Sequence, residues 1–271
     1  MKKISTIILT FVLLFSLAGC ENTSSNNSGS KDQNKKTIVV GGTPVPSVEV
    51  LNQLKPILKK KGYDLQVKEF TDYVTPNTAL TSKSIDANLY QHIPYLEQYN
   101  KEKHTDLTYT AKVYILPMAV YSKKVKNMNE LKNGAVIAIP NDPTNETRAL
   151  KLLEKGGLIK LKNGDALTKL DITENKKNIQ VKELDAPQLP RALDDADAAV
   201  INTNYALQAK LNPVKDSILI EDKNSPYINV LVVRKEDKDK PYIKALNEAL
   251  NSPEIKKFIE EKYKGTVITA F

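Results

Sequence analysis

The apolar and polar positions divide the chain into a short apolar run near the start, a polar gap, and a long body of alternating strand-like and helix-like spacings. In the body, residues 37–41 read as a strand. Residues 47–61 carry apolar side chains at helical spacing (Val48, Leu51, Leu54, Ile57, Leu58), with Ser47 as the expected N-cap and Gly62 after the end. Pro56 inside that stretch is expected to bend or break the helix. Residues 65–70 alternate like a strand. A helix at 77–82, a strand at 86–89, a helix at 94–103 and extended segments at 109–116 and 118–122 follow. Residues 135–139 (AVIAI) predict a strand buried on both faces. Asp142 and Pro143 then suit the N-cap and first position of a helix that Gly156 and Gly157 end. Strands at 179–184, 198–201 and 227–234 and helices at 241–250 and 253–264 complete the series.

Strands interleaved with helices predict an α/β fold with parallel sheets covered on both faces. Extended stretches near 116–119 and 224–230 suit two crossovers between lobes, which predicts a two-lobed, periplasmic-binding-protein-like architecture with a ligand cleft. On that reading residues 37–117 plus 230–271 form lobe one and residues 118–229 form lobe two.

The apolar run at residues 7–17, introduced by Lys2 and Lys3, ends in Leu17-Ala18-Gly19-Cys20. It is about a dozen residues long, whereas a transmembrane helix needs about 20. Small residues before a cysteine resemble a bacterial lipoprotein signal, so residues 1–19 are expected to be removed and Cys20 acylated. Residues 21–36 hold no apolar side chain, so 20–36 read as a flexible tether to a membrane anchor on the extracytoplasmic face.

Composition narrows the chemistry. Cys20 is the only cysteine, so disulfides, thiolate metal sites and cysteine catalysis are excluded from the body. The net charge of +8, which becomes +6 without Lys2 and Lys3, comes from scattered lysines beside acids, as in residues 235–240. That is a solvated surface rather than a nucleic-acid footprint. There is no tryptophan, and no hydrolase, zinc-protease or phosphate-loop motif occurs. Of the two histidines, His104 sits among charges as a surface residue, and His92 follows Asn88-Leu89-Tyr90-Gln91. No metal, cofactor or enzyme reaction is expected.

A binding reading has more support. After the strand at 135–139, the helix N-terminus directs N–H groups and the positive dipole end outward. Asn145 and Arg148, three residues apart, share a helix face, and the arginine fork matches a carboxylate. The same residues also suit an ordinary capped helix with a surface arginine. Tyr73, Tyr90 and His92 are expected in loops after strands, where rings suit an apolar or thioether group. Spacing alone leaves open whether they are simply packing.

Five segments carry a resemblance: FTDYVTPNTAL (70–80), IDANLYQHIPYL (85–96), AVIAIPNDPTNETRALKLLEKGGLIKL (135–161), DAAVINTNYA (197–206) and SPYINVLVVR (225–234). Together they are similar to the methionine-binding lipoproteins of bacterial ABC importers, the MetQ or NlpA family. The resemblance implies a two-lobed fold, no cofactor, and ligand delivery to a membrane permease. It implies that Arg148, helped by Asn145, pairs with the ligand carboxylate. Asn202 and Asn229 resemble the asparagines that hold the α-amino and carboxylate groups. Tyr73, Tyr90 and His92 resemble the walls around the side chain. Position 90 is often phenylalanine in the family, so Tyr90 could add a polar contact, as could Asn204. L-methionine is the ligand so implied. A methionine-containing dipeptide such as Gly-Met is the alternative, with its amine displaced by roughly 3.5 Å. A surface adhesin or interaction lipoprotein with an idle cleft is the competing class.

Overall fold

The computed structural model describes residues 35–271, and the expected signal, Cys20 and most of the tether lie outside them. The chain first builds β1 (Thr37–Gly42), α1 (Glu49–Lys60), β2 (Asp64–Glu69), α2 (Thr75–Thr81), β3 (Ala87–His92), α3 (Ile93–Lys103) and β4 (Thr108–Ile115). It then crosses to β5 (Ala119–Tyr121), β6 (Val136–Pro140), α4 (Pro143–Lys155), β7 (Lys160–Leu161), β8 (Ile172–Glu174), β9 (Gln180–Leu184), α5 (Leu189–Ala192), β10 (Ala198–Ile201), α6 (Thr203–Gln208) and β11 (Ser217–Ile220). It returns through β12 (Ile228–Val233), α7 (Pro241–Leu250), α8 (Pro253–Tyr263) and β13 (Ile268–Thr269).

Two main sheets result. One has the order β13-β4-β12-β3-β1-β2, the other β11-β5-β10-β6-β9. Residues 116–118 and 221–227 join them, at the two extended stretches noted in the sequence. β12 already pairs from Ile228, so the return is complete two residues before position 230.

The expectation of parallel sheets is corrected. β1 runs parallel to β2 and β3, and β6 parallel to β9 and β10, but β12, β13, β5 and β11 pair antiparallel. The parallel rule follows from helical crossovers within one sheet. β5 and β12 each enter from the other lobe, so no such crossover dictates their direction.

Both sheets are covered on both faces. In β6, Ile137 and Ile139 pack with Leu150 and Leu153 of α4, while Ala138 faces Leu189 and Leu193 on the other side. In β12, Leu231 and Val233 join α1, α7 and α8 in one core, while Val230 and Val232 meet Leu80, Ile85 and Leu96 in another. Period-two alternation with both sides apolar explains the continuous hydrophobic runs.

α1 departs from expectation at both marked residues. Ser47 is not its N-cap: it lies in a preceding π-type turn, buried, with its hydroxyl 2.8 Å from that of Tyr114. The helix runs unbroken through Pro56. Pro56 and Asn52, whose carbonyl loses its partner, are both exposed, so water can satisfy that carbonyl. No helix among the described residues is long and apolar enough to cross a membrane.

Candidate functional site

The site forms where strands end. The parallel strands β1, β3, β6 and β10 point their carboxyl ends toward the junction of the two sheets, the usual ligand position in open α/β folds. β3 delivers Tyr90 and His92, β12 delivers Asn229, and the loop after β2 delivers Tyr73. From the other lobe, α4 supplies Asn145 and Arg148, and the β10–α6 junction supplies Asn202. All seven residues singled out in the sequence line one cavity of about 350 Å³, its open mouth included. Tyr90 and His92 are not in loops as expected; they form the last turn of β3, because its pairing with β12 extends to His92.

The α4 N-terminus is built as its sequence predicts. Asp142 caps it by accepting from the Asn145 N–H at 3.1 Å, and the Asn145 amide also donates to both Asp142 carboxylate oxygens. That fixes Asn145 with its Oδ1 turned to the cleft. This oxygen accepts from Asn202 Nδ2 at 2.9 Å and lies 3.2 Å from His92 Nε2. His92 Nδ1 accepts from the Tyr95 N–H, so its proton sits on Nε2, which donates to Asn145. Burial, then the Arg148 charge, lowers the His92 pKa to about 3, so the ring is neutral.

That shift carries a stability signature. The unfolded histidine takes up a proton below about pH 6.5, while the folded one resists until about pH 3. Stability from His92 is therefore present above pH 6.5 and lost as pH falls toward 3. Glu146, raised by burial and its neighbour Glu183, acts in the opposite sense, so the variant comparison isolates the histidine. Between pH 7 and 4.5, the wild type is expected to lose about 2–3 kcal/mol more than His92→Gln in urea unfolding. Equal losses would show that His92 is not held neutral.

Arg148 is the most constrained residue of the site. Its Nε donates to Glu221 Oε1 at 2.7 Å, and its Nη2 donates to Glu221 Oε2 at 2.5 Å and to the Leu116 carbonyl at 2.8 Å. Its guanidinium carbon lies 4.2 Å from the centre of the Tyr227 ring. The fork that the sequence reading left free for a ligand thus holds an internal carboxylate, and only Nη1 remains without a hydrogen-bond partner among the described residues. Glu221 was missed because it sits in a charged stretch, residues 221–223, that reads as a solvated loop.

The opposite wall is phenolic. Tyr73 lies 5.9 Å from Tyr90, 6.0 Å from Tyr95 and 5.1 Å from Tyr205, centre to centre. The Tyr90 and Tyr95 hydroxyls both donate to the Tyr73 carbonyl at 2.9 Å, and the Tyr73 hydroxyl donates to Asn204 Oδ1 at 2.5 Å. Burial raises the pKa of each phenol, which keeps them as neutral donors. Tyr95 and Tyr205 were missed because both lie in helices, where apolar spacing marks them as packing.

Two buried side-chain atoms at the site have no hydrogen-bond partner among the described residues: Asn202 Oδ1, an acceptor, and Asn204 Nδ2, a donor. Leaving a buried polar group unmade costs about 1–3 kcal/mol, so an unpaired set of opposite polarity inside a cavity points to a ligand with both a donor and an acceptor. Asn229, also buried, lines the same cavity. Bonds from His92 to Asn145 and Tyr73 to Asn204 cross the cleft, so the lobes are hydrogen-bonded over it. Among the described residues no three histidine, aspartate or glutamate side chains converge as a metal site.

Comparison with known proteins places the chain among named relatives. The chain is 44% identical over 257 residues, 93% of its length and 92% of the relative's, to the D-methionine-binding lipoprotein MetQ of Salmonella typhi. It is 44% identical over 278 residues, 99% of its length and 98% of the relative's, to the methionine-binding lipoprotein MetQ of Bacillus subtilis. A solved nutrient-binding protein of Burkholderia cenocepacia, bound to methionine, superposes with a TM-score of 0.85 at 48% identity, covering 86% of this chain and all of that one. The profile of the NlpA lipoprotein family matches residues 38–271, and the chain belongs to that family.

Proposed function

We propose that this protein binds L-methionine in the interlobe cleft and presents it to the permease of an ABC importer. The observation that carries the reading is the pairing of unlike ends in one cavity. Arg148 Nη1 and Asn202 Oδ1 gather polar capacity at one side, and the rings of Tyr73, Tyr90 and Tyr95, with Asn204 beside them, stand at the other. A free amino acid with a soft apolar side chain has that division. The carboxylate would meet Arg148 Nη1, the ammonium would meet Asn202 and Asn229, and the thioether would lie against Tyr73, Tyr90 and His92, where sulfur–ring contacts are favourable.

The names of the relatives add weight to methionine. The lobes, residues 37–117 plus 228–271 and residues 118–227 once β12 is kept whole, would close about the two crossovers. Acyl chains on Cys20 would hold the protein at the outer face of the cell membrane, raising the effective ligand concentration beside the permease.

Isothermal calorimetry with L-methionine, D-methionine and Gly-Met tests the proposal. L-methionine is expected to bind most tightly. No heat from any of the three would remove methionine as the substrate.

A further inference from the structure

The Arg148–Glu221 pair is more than the ligand scheme requires. We infer that Glu221 is a specificity-determining residue: as the internal counterion of Arg148, it makes the cleft accept zwitterions and reject anions. This rests on the amino-acid reading of the cleft.

The geometry gives Glu221 that position. It takes the Nε–Nη2 edge of Arg148 with both oxygens, and the Arg148 and Glu221 side chains are 3% and 12% exposed. The pair is anchored to both crossovers: Glu221 Oε2 accepts the Met118 N–H at 2.9 Å, the Glu221 N–H donates to the Met118 carbonyl at 2.9 Å, and Arg148 holds the Leu116 carbonyl. Glu221 therefore cannot swing away to free the fork without breaking the crossover contacts.

The electrostatic consequence is direct. Arg148 and Glu221 cancel, His92 is neutral, and Asp142 stands behind Asn145. A ligand with net negative charge finds no uncompensated cation. A zwitterion can set its carboxylate on Nη1 while its ammonium stays near the acceptor Asn202 Oδ1. Without the Glu221 charge, Arg148 becomes an uncompensated buried cation, and anions gain.

The test compares L-methionine with its 2-hydroxy analogue, which keeps the carbon skeleton and thioether but is an anion. Calorimetry is run on the full chain for wild type, Glu221→Gln and Glu221→Asp, with circular dichroism as the fold control. The wild type is expected to prefer methionine by about 100-fold or more. Glu221→Gln is expected to narrow that ratio by about tenfold or more, while Glu221→Asp, which keeps the charge, holds it within about threefold. A purely structural Glu221 would weaken both ligands alike. An unchanged ratio in folded Glu221→Gln, with methionine bound by the wild type, overturns this inference alone. If Glu221→Gln does not fold, the wild type still decides: equal affinity for the two ligands overturns it. A wild type that binds no amino acid overturns both this inference and the proposed function.

Discussion

Arg148→Ala is expected to lower methionine affinity by roughly 100- to 1,000-fold and to destabilise the fold by about 3–5 kcal/mol. The two losses have different sources. Binding loses the charged donor that would grip the carboxylate. Folding loses more, because Glu221 remains where both its oxygens faced the guanidinium, now as an uncompensated and largely buried charge. The Leu116 carbonyl also loses its donor, and the Tyr227 ring loses its cation. Arg148→Lys should not rescue either property, since one ammonium cannot bond both Glu221 oxygens and the Leu116 carbonyl while leaving donors for a ligand. Calorimetry and urea unfolding measure the two effects separately. Affinity within threefold of wild type would sink the carboxylate assignment. Stability within about 1 kcal/mol would sink the buried-pair argument.

Asn202→Leu is expected to separate binding from stability in the opposite way. Asn202 Oδ1 is buried without a partner, which burdens the fold by about 1–3 kcal/mol when no ligand is bound. Leucine has a similar shape and no polar atom to leave unsatisfied. The bond lost, from Asn202 Nδ2 to Asn145 Oδ1, leaves that oxygen still paired with His92. Unfolding free energy should stay level or rise by about 1 kcal/mol, while methionine affinity should fall by about 30-fold or more as the ammonium loses its acceptor. A variant that binds normally would place the ammonium elsewhere. A variant that binds weakly because it is less stable would show that Asn202 supports the fold.

The elements read most closely from sequence were those that local chemistry marks. The helix at Pro241–Leu250 and the strand at Ala198–Ile201 have the expected bounds, the first set by a proline start and apolar period, the second by an unbroken apolar run. α6 was not foreseen, since six residues starting Thr203-Asn204-Tyr205 carry too little periodicity to show. Strand direction was also illegible: β12 resembles any buried strand, and only its arrival from the other lobe makes it antiparallel. At the site, the helix-cap logic located Asn145 and Arg148, and the resemblance supplied the asparagines and Tyr73, Tyr90 and His92. Glu221 stayed hidden because its partner lies 73 residues away and nothing local distinguishes it from its exposed neighbour Asp222. Pairing across a crossover belongs to the fold rather than to any window of residues.

The ring of phenols around the cleft also makes the protein its own optical reporter. The chain has twelve tyrosines and no tryptophan, so no indole masks or drains the tyrosine emission. Tyr73, Tyr90 and Tyr95 stand within ring contact of one another at the cavity, Tyr205 touches the Tyr73 ring, and Tyr227 stacks on Arg148. A large share of the ultraviolet signal therefore originates where a ligand would sit, and occupancy can be followed by intrinsic emission and near-ultraviolet dichroism without attaching a dye.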